Sequence, residues 1–180
     1  MNGVGGEPFR VLIVDDEPYI LEGLERALRG QRAGWKMAFA VRGEEALDRL
    51  DAEPVDAIVS DMRMPDLDGA ELMREVCRRH PEVIRMILTG HSDPAMIRRA
   101  VPVTHQFLAK PCPPPDLVAA LQRVLEPRRR IGDAAVWRAV GRIERLPSSA
   151  ETLRRYRKAL ARPEVGAGEL GRIAAEDPAM

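Results

Sequence analysis

The chain has 180 residues with 28 basic and 28 acidic side chains, so its formal net charge is zero. Apolar residues make up 45% of the sequence and charged residues 31%, which is typical of a folded globular protein and excludes a disordered or collagen-like chain. Cys77 and Cys112 have neither the spacing of a zinc site nor that of a disulfide framework, and no apolar run approaches the ~18 residues of a membrane span. We therefore expect a soluble, cytoplasmic protein without a membrane partner.

Five short apolar runs alternate with helical patterns through the first part of the chain. The predicted strands are residues 11–14, 35–41, 57–60, 84–88 and 105–109. The predicted helices are residues 17–29, 42–50, 67–79, 92–100 and 113–125. Apolar runs that stop at a polar residue are typical of buried parallel strands. The alternation predicts an α/β fold, a flavodoxin-like, doubly wound, five-stranded parallel sheet, (βα)5, with a helical C-terminal extension.

The composition becomes more basic from Arg128 onwards. Residues 131–146 have apolar side chains at helical spacing, whereas Pro127 is expected to kink a helix that runs through it. Residues 148–151 have the form of a capping box that begins another helix. We therefore predict a main domain over residues 8–126, a helical linker over 127–146 and a truncated helical output region over 147–180.

Polar residues follow four of the five predicted strands: Asp15 with Asp16, then Asp61, Thr89 and Lys110. Because ligands bind at the carboxyl ends of strands in such sheets, we expect these side chains to lie at one rim. Carboxylates that converge repel one another, and a divalent cation relieves that repulsion. Mg²⁺ suits one or two carboxylates together with a backbone carbonyl, waters and a phosphate oxygen.

This arrangement favours phosphoryl chemistry on a carboxylate. Asp61 could attack a phosphorus atom and become an aspartyl phosphate, with Lys110 balancing charge. The Thr89 hydroxyl could then donate to the new phosphoryl oxygens. That movement would leave room for Phe107 to turn inward, although a plain core role for Phe107 remains open. Capping of a helix alone is the alternative for Asp15 and Asp16.

Four motifs resemble the receiver domain of bacterial two-component response regulators over about residues 8–126. They are Val14-Asp15-Asp16-Glu17-Pro18, Asp61-Met62-Arg63-Met64-Pro65-Asp66, Leu88-Thr89-Gly90-His91 and Phe107-Leu108-Ala109-Lys110-Pro111. The resemblance implies a phosphoacceptor that takes part in its own phosphorylation, and not a conventional enzyme. It also implies a sensor histidine kinase as partner.

The resemblance assigns a role to each matching residue. Asp61 is the expected phosphoacceptor, with Thr89 and Lys110 as catalytic residues and Thr89 and Phe107 as the switch. The expected Mg²⁺ ligands are Asp15 (through water), Asp16, Asp61 and the backbone carbonyl of Arg63. A cis peptide is implied before Pro111. The apolar stripe from Leu117 to Val140 could pack a homodimer, through the face of the fourth helix, fifth strand and fifth helix or through the linker helix, or it could equally cover the chain's own main domain.

The tail has a second, shorter resemblance. Leu146-Pro147-Ser148, a helix with Leu153 and Tyr156, and Ala175-Glu176-Asp177-Pro178-Ala179 look like the opening of an HDOD output domain. The alternative is a DNA-binding helix-turn-helix, which lacks a convincing polar recognition helix, so nucleic acid is not an expected partner of this chain. A cyclic-dinucleotide phosphodiesterase would need a His-Asp metal motif, and the sequence to Met180 has none.

Overall fold

The structure is a computed structural model that describes residues 7–31, 34–90 and 94–130, with Val136 and Lys158. The strands are β1 (Phe9–Val14), β2 (Trp35–Ala40), β3 (Ala57–Asp61), β4 (Ile84–Thr89) and β5 (Gln106–Ala109). The helices are α1 (Pro18–Ala27), α2 (Gly43–Ala52), α3 (Gly69–Arg79), α4 (Pro94–Ala100) and α5 (Pro114–Arg130), with 3-10 turns at Arg29–Gln31 and Val101–Val103.

The five strands form one parallel sheet in the order β2-β1-β3-β4-β5. Successive side chains of a strand point to opposite faces. Leu12 and Val14 therefore pack in one core cluster with α2, α3 and α4, while Val11 and Ile13 pack in the other with α1 and α5. Helices on both faces confirm the predicted doubly wound, flavodoxin-like fold.

Most differences from the predicted elements are at their ends. β1 begins earlier, at Phe9, and β2 ends at Ala40, which leaves Val41 exposed. The main difference is α5, which continues through Pro127 to Arg130. Arg128 explains this continuation, because its guanidinium donates to the backbone oxygens of Asp56 and Glu82 at 3.0 and 2.7 Å and holds the last turn against the sheet.

The chain divides into two compact units, Met1–Arg142 and Ile143–Met180. Beyond residue 130 only Val136 and Lys158 are described, both helical and exposed. The predicted linker and output helices otherwise lie outside the described residues, so the proposed domain boundaries stay predictions. Among the described helices, none has both the length and the apolarity that a membrane span requires.

Candidate functional site

The carboxyl ends of β1, β3 and β5 bring two carboxylates and an ammonium group together. The Lys110 Nζ atom lies 2.9 Å from Asp15 Oδ2 and 2.9 Å from Asp61 Oδ1. β1 lies between β2 and β3 in the sheet, and the β1–β3 register pairs Val14 with Ser60, so Asp15 and Asp61 follow paired residues. The parallel register thus places side chains from distant parts of the sequence at one rim.

Asp15 forms the buried wall of this site and is only 1% exposed. Its Oδ1 atom accepts a hydrogen bond from the Glu17 backbone N–H at 3.0 Å, while its Oδ2 atom faces Lys110. Burial opposes the charged form of Lys110, but the hydrogen bonds that its ammonium group donates to Asp61 and Asp15 outweigh it and raise the pKa of that group above its usual value. Lys110 is therefore a fixed positive charge between two carboxylates.

Asp61 is held in place but remains accessible. Its side chain is 13% exposed, and its Oδ2 atom accepts a hydrogen bond from the Arg63 backbone N–H at 3.3 Å. The buried Ser60 hydroxyl donates to the Asp61 backbone oxygen at 2.8 Å. The following loop turns sharply at Asp66, which has a left-handed φ of 67°, and the Asp68 side chain then caps α3.

Thr89 and Phe107 lie on the strands next to Asp61. Thr89 ends β4 and is half-buried. Its backbone oxygen accepts a hydrogen bond from the Lys110 backbone N–H at 2.7 Å. Phe107 pairs with Ile87 in the β4–β5 ladder, is half-buried, and packs against the core cluster on the α3 and α4 side. The peptide bond between Lys110 and Pro111 is cis, as the resemblance implied.

The expected Mg²⁺ ligands have the right chemistry for a hard cation. Asp16 is half-buried beside Asp15, and Arg63 is exposed in the loop after β3. Within the described residues, no group of three or more Asp, Glu, His or Cys side chains could hold a metal ion on its own. The donor set still fits Mg²⁺, because this ion uses few carboxylates and completes its shell with carbonyl, water and phosphate oxygens.

Two buried polar residues within β3 and β4 were not predicted from the sequence. Ser60 and Arg85 are 0% and 2% exposed, in β3 and β4 respectively. The available signal was a polar residue inside an otherwise apolar run, since a buried polar group must find hydrogen-bond partners. Ser60 supports the backbone of Asp61, whereas Arg85 lies at the opposite end of its strand.

Comparison with known proteins identifies the same part of the chain. The family model described as "Response regulator receiver domain" matches residues 11–122. The DNA-binding transcriptional regulator NtrC of Klebsiella pneumoniae is 34% identical over 154 residues, which cover 74% of this chain and 32% of the relative. The positive alginate biosynthesis regulatory protein of Pseudomonas aeruginosa is 37% identical over 121 residues, covering 66% and 48% respectively.

A solved structure agrees in fold as well. The signal receiver domain of an HD domain-containing protein from Pseudomonas fluorescens has a TM-score of 0.64 and 28% identity. The alignment covers 69% of this chain and 99% of that one. By contrast, the chain spans about a third of the Klebsiella relative's length, at 32%.

Proposed function

This chain belongs to the response regulator receiver domain family, and we propose that Asp61 is the residue that accepts the phosphoryl group. The observation that supports this most directly is the Lys110 ammonium group lying 2.9 Å from both the Asp15 and the Asp61 carboxylates. A site that combines an accessible carboxylate with a fixed cation can bind a phosphoryl group and accept it. The phosphodonor is a sensor histidine kinase.

The Asp61 Oδ2 atom is the proposed nucleophile, since Oδ1 lies 2.9 Å from the Lys110 Nζ atom whereas Oδ2 accepts the longer, 3.3 Å bond from Arg63 N–H. In the transfer, the bond from Asp61 oxygen to phosphorus forms as the bond from phosphorus to the donor's imidazole nitrogen breaks. That nitrogen keeps the electron pair. Lys110 stabilises the negative charge on the transferred oxygens, because it stays protonated within the site.

Asp16, Asp61 and the Arg63 carbonyl are the proposed direct Mg²⁺ ligands, with Asp15 acting through water. When bound, Mg²⁺ supplies charge neutralisation on the phosphoryl oxygens and orients them for in-line attack. Asp15 is the least exposed of the three carboxylates and is already bonded to Lys110 and the Glu17 N–H. This supports its indirect role.

Thr89 and Phe107 are the proposed switch. After transfer, the Thr89 hydroxyl would donate to a phosphoryl oxygen, and the movement of β4's end would let Phe107 turn further inward. Phe107 is half-buried, so both its present packing and a more buried position are compatible with its place on the edge strand β5. This motion would carry the signal to the surface of α4 and β5.

The phosphoacceptor is tested with Asp61→Asn. The purified protein is incubated with a small-molecule phosphodonor and Mg²⁺, and the phosphorylated fraction is read by gel mobility and intact mass. The wild type is expected to gain one phosphoryl group, and the gain should be lost on chelation of Mg²⁺. Asp61→Asn should show no gain, because an amide oxygen is a poor nucleophile.

Asp66→Asn is the matched control, since it makes the same change at an exposed residue of the same loop. Asparagine also tolerates the left-handed backbone that Asp66 adopts. This variant should be phosphorylated like the wild type. Equal uptake by Asp61→Asn and wild type would remove Asp61 from the mechanism.

For the output, we propose an HDOD-like domain that begins near residue 147. The supporting observations are the motifs between residues 146 and 179 and the similarity to a receiver from an HD domain-containing protein. A DNA-binding output is the second candidate, which the NtrC relative's description favours. A steep fall of DNA affinity with salt would support the second candidate.

A homodimer through the face of α4, β5 and α5 is the proposed assembly, with the linker helix as the alternative surface. Val101, in the turn between α4 and β5, is a 51% exposed apolar residue. Sedimentation of the protein with and without phosphodonor tests this proposal. A monomer under both conditions at high concentration would contradict it.

A further inference from the structure

Arg85 is a buried charged side chain that the proposed phosphorylation mechanism does not use. It lies in β4, is 2% exposed, and is flanked along the strand by the buried residues Ile84 and Met86. It shares a face of the sheet with Ile87, which packs with α3 and α4. A guanidinium group is costly to bury unless its N–H donors are satisfied.

Backbone oxygens from two connections accept the Arg85 donors. The Nη1 atom donates to Pro81 and Val83, before β4, at 3.1 and 3.0 Å. The Nε atom donates to the Val103 oxygen at 2.7 Å, at the end of the turn between α4 and β5. Arg85 therefore ties the loop that enters β4 to the connection that enters β5.

His105 completes this network just before β5 begins. The His105 backbone N–H donates to the Arg85 oxygen at 2.8 Å, and the Arg85 backbone N–H donates to His105 Nδ1 at 2.9 Å. The Arg85 Nη2 atom lies 3.3 Å from His105 Nε2. The two residues thus hold each other, through the main chain and the His105 Nδ1 atom, immediately before the first pair of the β4–β5 ladder, Met86–Gln106.

β5 is a short strand at the edge of the sheet. It has four residues and, within the part of the chain that the structure describes, pairs with β4 alone, from Met86–Gln106 to Thr89–Ala109. Such a strand can slip, and a shift of one residue reverses the face of every side chain. Phe107 and Lys110 would then leave the positions that the switch and the carboxylates require.

We propose that Arg85 is a positioning residue that sets the register and start of β5, and through β5 the placement of Phe107 and Lys110. The inference rests on the proposed phosphorylation of Asp61. Arg85 lies near the amino end of β4, whereas the carboxylates lie at the carboxyl ends of β1 and β3, so its effect is transmitted along β5. The amino end of the strand is the fixed end, and the end that carries Lys110 is the one that responds to phosphorylation.

Arg85→Met tests the proposal, because methionine keeps length and removes the donors. The substitution leaves the backbone oxygens of Pro81, Val83 and Val103 without this donor, so the main loss is expected at the entries to β4 and β5. Amide hydrogen exchange of residues 106–110 should accelerate about tenfold, the loss expected from one or two hydrogen bonds, while β1 and β3 amides stay unchanged. The maximal rate of phosphorylation by a small-molecule donor should fall several-fold, with the half-saturating donor concentration unchanged.

Three further variants make the result decisive. Arg78→Met is the matched control, since Arg78 is an exposed arginine on α3, and it should behave like the wild type. Arg85→Lys should recover part of the rate, because an ammonium group can still donate to the carbonyl oxygens. His105→Ala, at an exposed position, should also accelerate amide exchange of residues 106–110, but by less than Arg85→Met. It keeps the proposal testable if Arg85→Met fails to fold.

Unchanged amide exchange in β5 would overturn the proposal, because Arg85 would then not position that strand. Equal acceleration of exchange in every strand would also overturn it, because Arg85 would then only stabilise the fold as a whole. A normal maximal rate with a loosened β5 would also overturn it. Failure of the phosphoacceptor proposal is seen separately, as absence of Asp61-dependent uptake in the wild type.

Discussion

Lys110 illustrates how one side chain stabilises two carboxylates of the proposed site. It is separated from Asp15 by 95 positions in sequence, yet their side-chain atoms lie 2.9 Å apart. Because Asp15 is 1% exposed, water cannot replace the ammonium group as its partner. The lysine therefore contributes to the stability of the folded chain as well as to the proposed transfer.

Lys110→Met is expected to lower the free energy of unfolding by about 2 kcal/mol, the typical worth of a hydrogen bond to a charged group. The substitution also leaves Asp15 and Asp61 to repel each other. Urea denaturation near pH 7 measures the change. Lys36→Met is the control, because Lys36 is exposed on β2, and its effect should be close to zero. Equal stability of the two variants would contradict this account of Lys110.

His105 gives a second prediction at the residue scale. Part of the residue is exposed, but its ring nitrogens face Arg85. Burial of the ring, followed by the positive charge of Arg85, lowers the pKa of His105 from 6.5 to about 4. The unfolded chain therefore takes up this proton at a higher pH than the folded chain.

The neutral His105 ring stabilises the fold fully above pH 6.5, and that contribution is lost as the pH falls to about 4. His105→Gln cannot titrate, so its free energy of unfolding should depend less on pH within this window. Urea denaturation at a series of pH values for both proteins measures the difference. Parallel curves from pH 6.5 to 4 would show that His105 titrates alike in both states.

At the scale of elements, α3 begins in direct contact with the backbone of Asp61, the proposed phosphoacceptor. A Cβ atom built at Gly69 would overlap the Asp61 backbone oxygen and lie 2.9 Å from Met62 Cα. The Gly69 N–H also donates to the Met62 oxygen at 3.0 Å. Glycine at this position therefore allows the helix to start against β3.

Gly69→Ala should destabilise the protein by about 1–3 kcal/mol, the usual cost of overpacking, and should reduce phosphoryl uptake by displacing Asp61. Gly23→Ala is the matched control in α1, where a Cβ meets nothing within 4 Å. It should stabilise the protein by about 0.5–1 kcal/mol, since alanine is the better helix former. Thermal denaturation compares the two, and a neutral Gly69→Ala would refute the close contact.

At the scale of the whole molecule, Arg128 joins the end of α5 to the amino ends of the strands. Its Nε atom lies 3.2 Å from Asp56 Oδ1, and the other Asp56 oxygen accepts a hydrogen bond from the Arg10 backbone N–H. With the bonds to the Asp56 and Glu82 backbone oxygens, this links β1, the entries to β3 and β4, and α5. The amino ends of the strands lie opposite the proposed phosphorylation site, which is at their carboxyl ends.

Arg128→Leu should accelerate amide hydrogen exchange in the last turn of α5 and lower stability by about 1–3 kcal/mol, because buried carbonyls lose their donor. Its side chain is 15% exposed, so solvent compensates little. Arg123→Leu, at an exposed position of the same helix, is the control and should leave exchange unchanged. Identical exchange in the two variants would mean that the end of α5 is held by other contacts.

The sequence alone was sufficient to predict the parallel sheet, the order of strands and helices along the chain, and the three residues that meet at the centre of the site. Apolar runs and helical spacing are local properties, and parallel strands must bring their polar ends to one edge, so Asp15, Asp61 and Lys110 could be placed together. The tertiary structure decided the contacts of Arg85 with His105, of Arg128 with Asp56, and of Gly69 with Asp61. These depend on strand register and on how helices lie against the sheet, because side chains far apart in sequence meet only after the crossovers are in place.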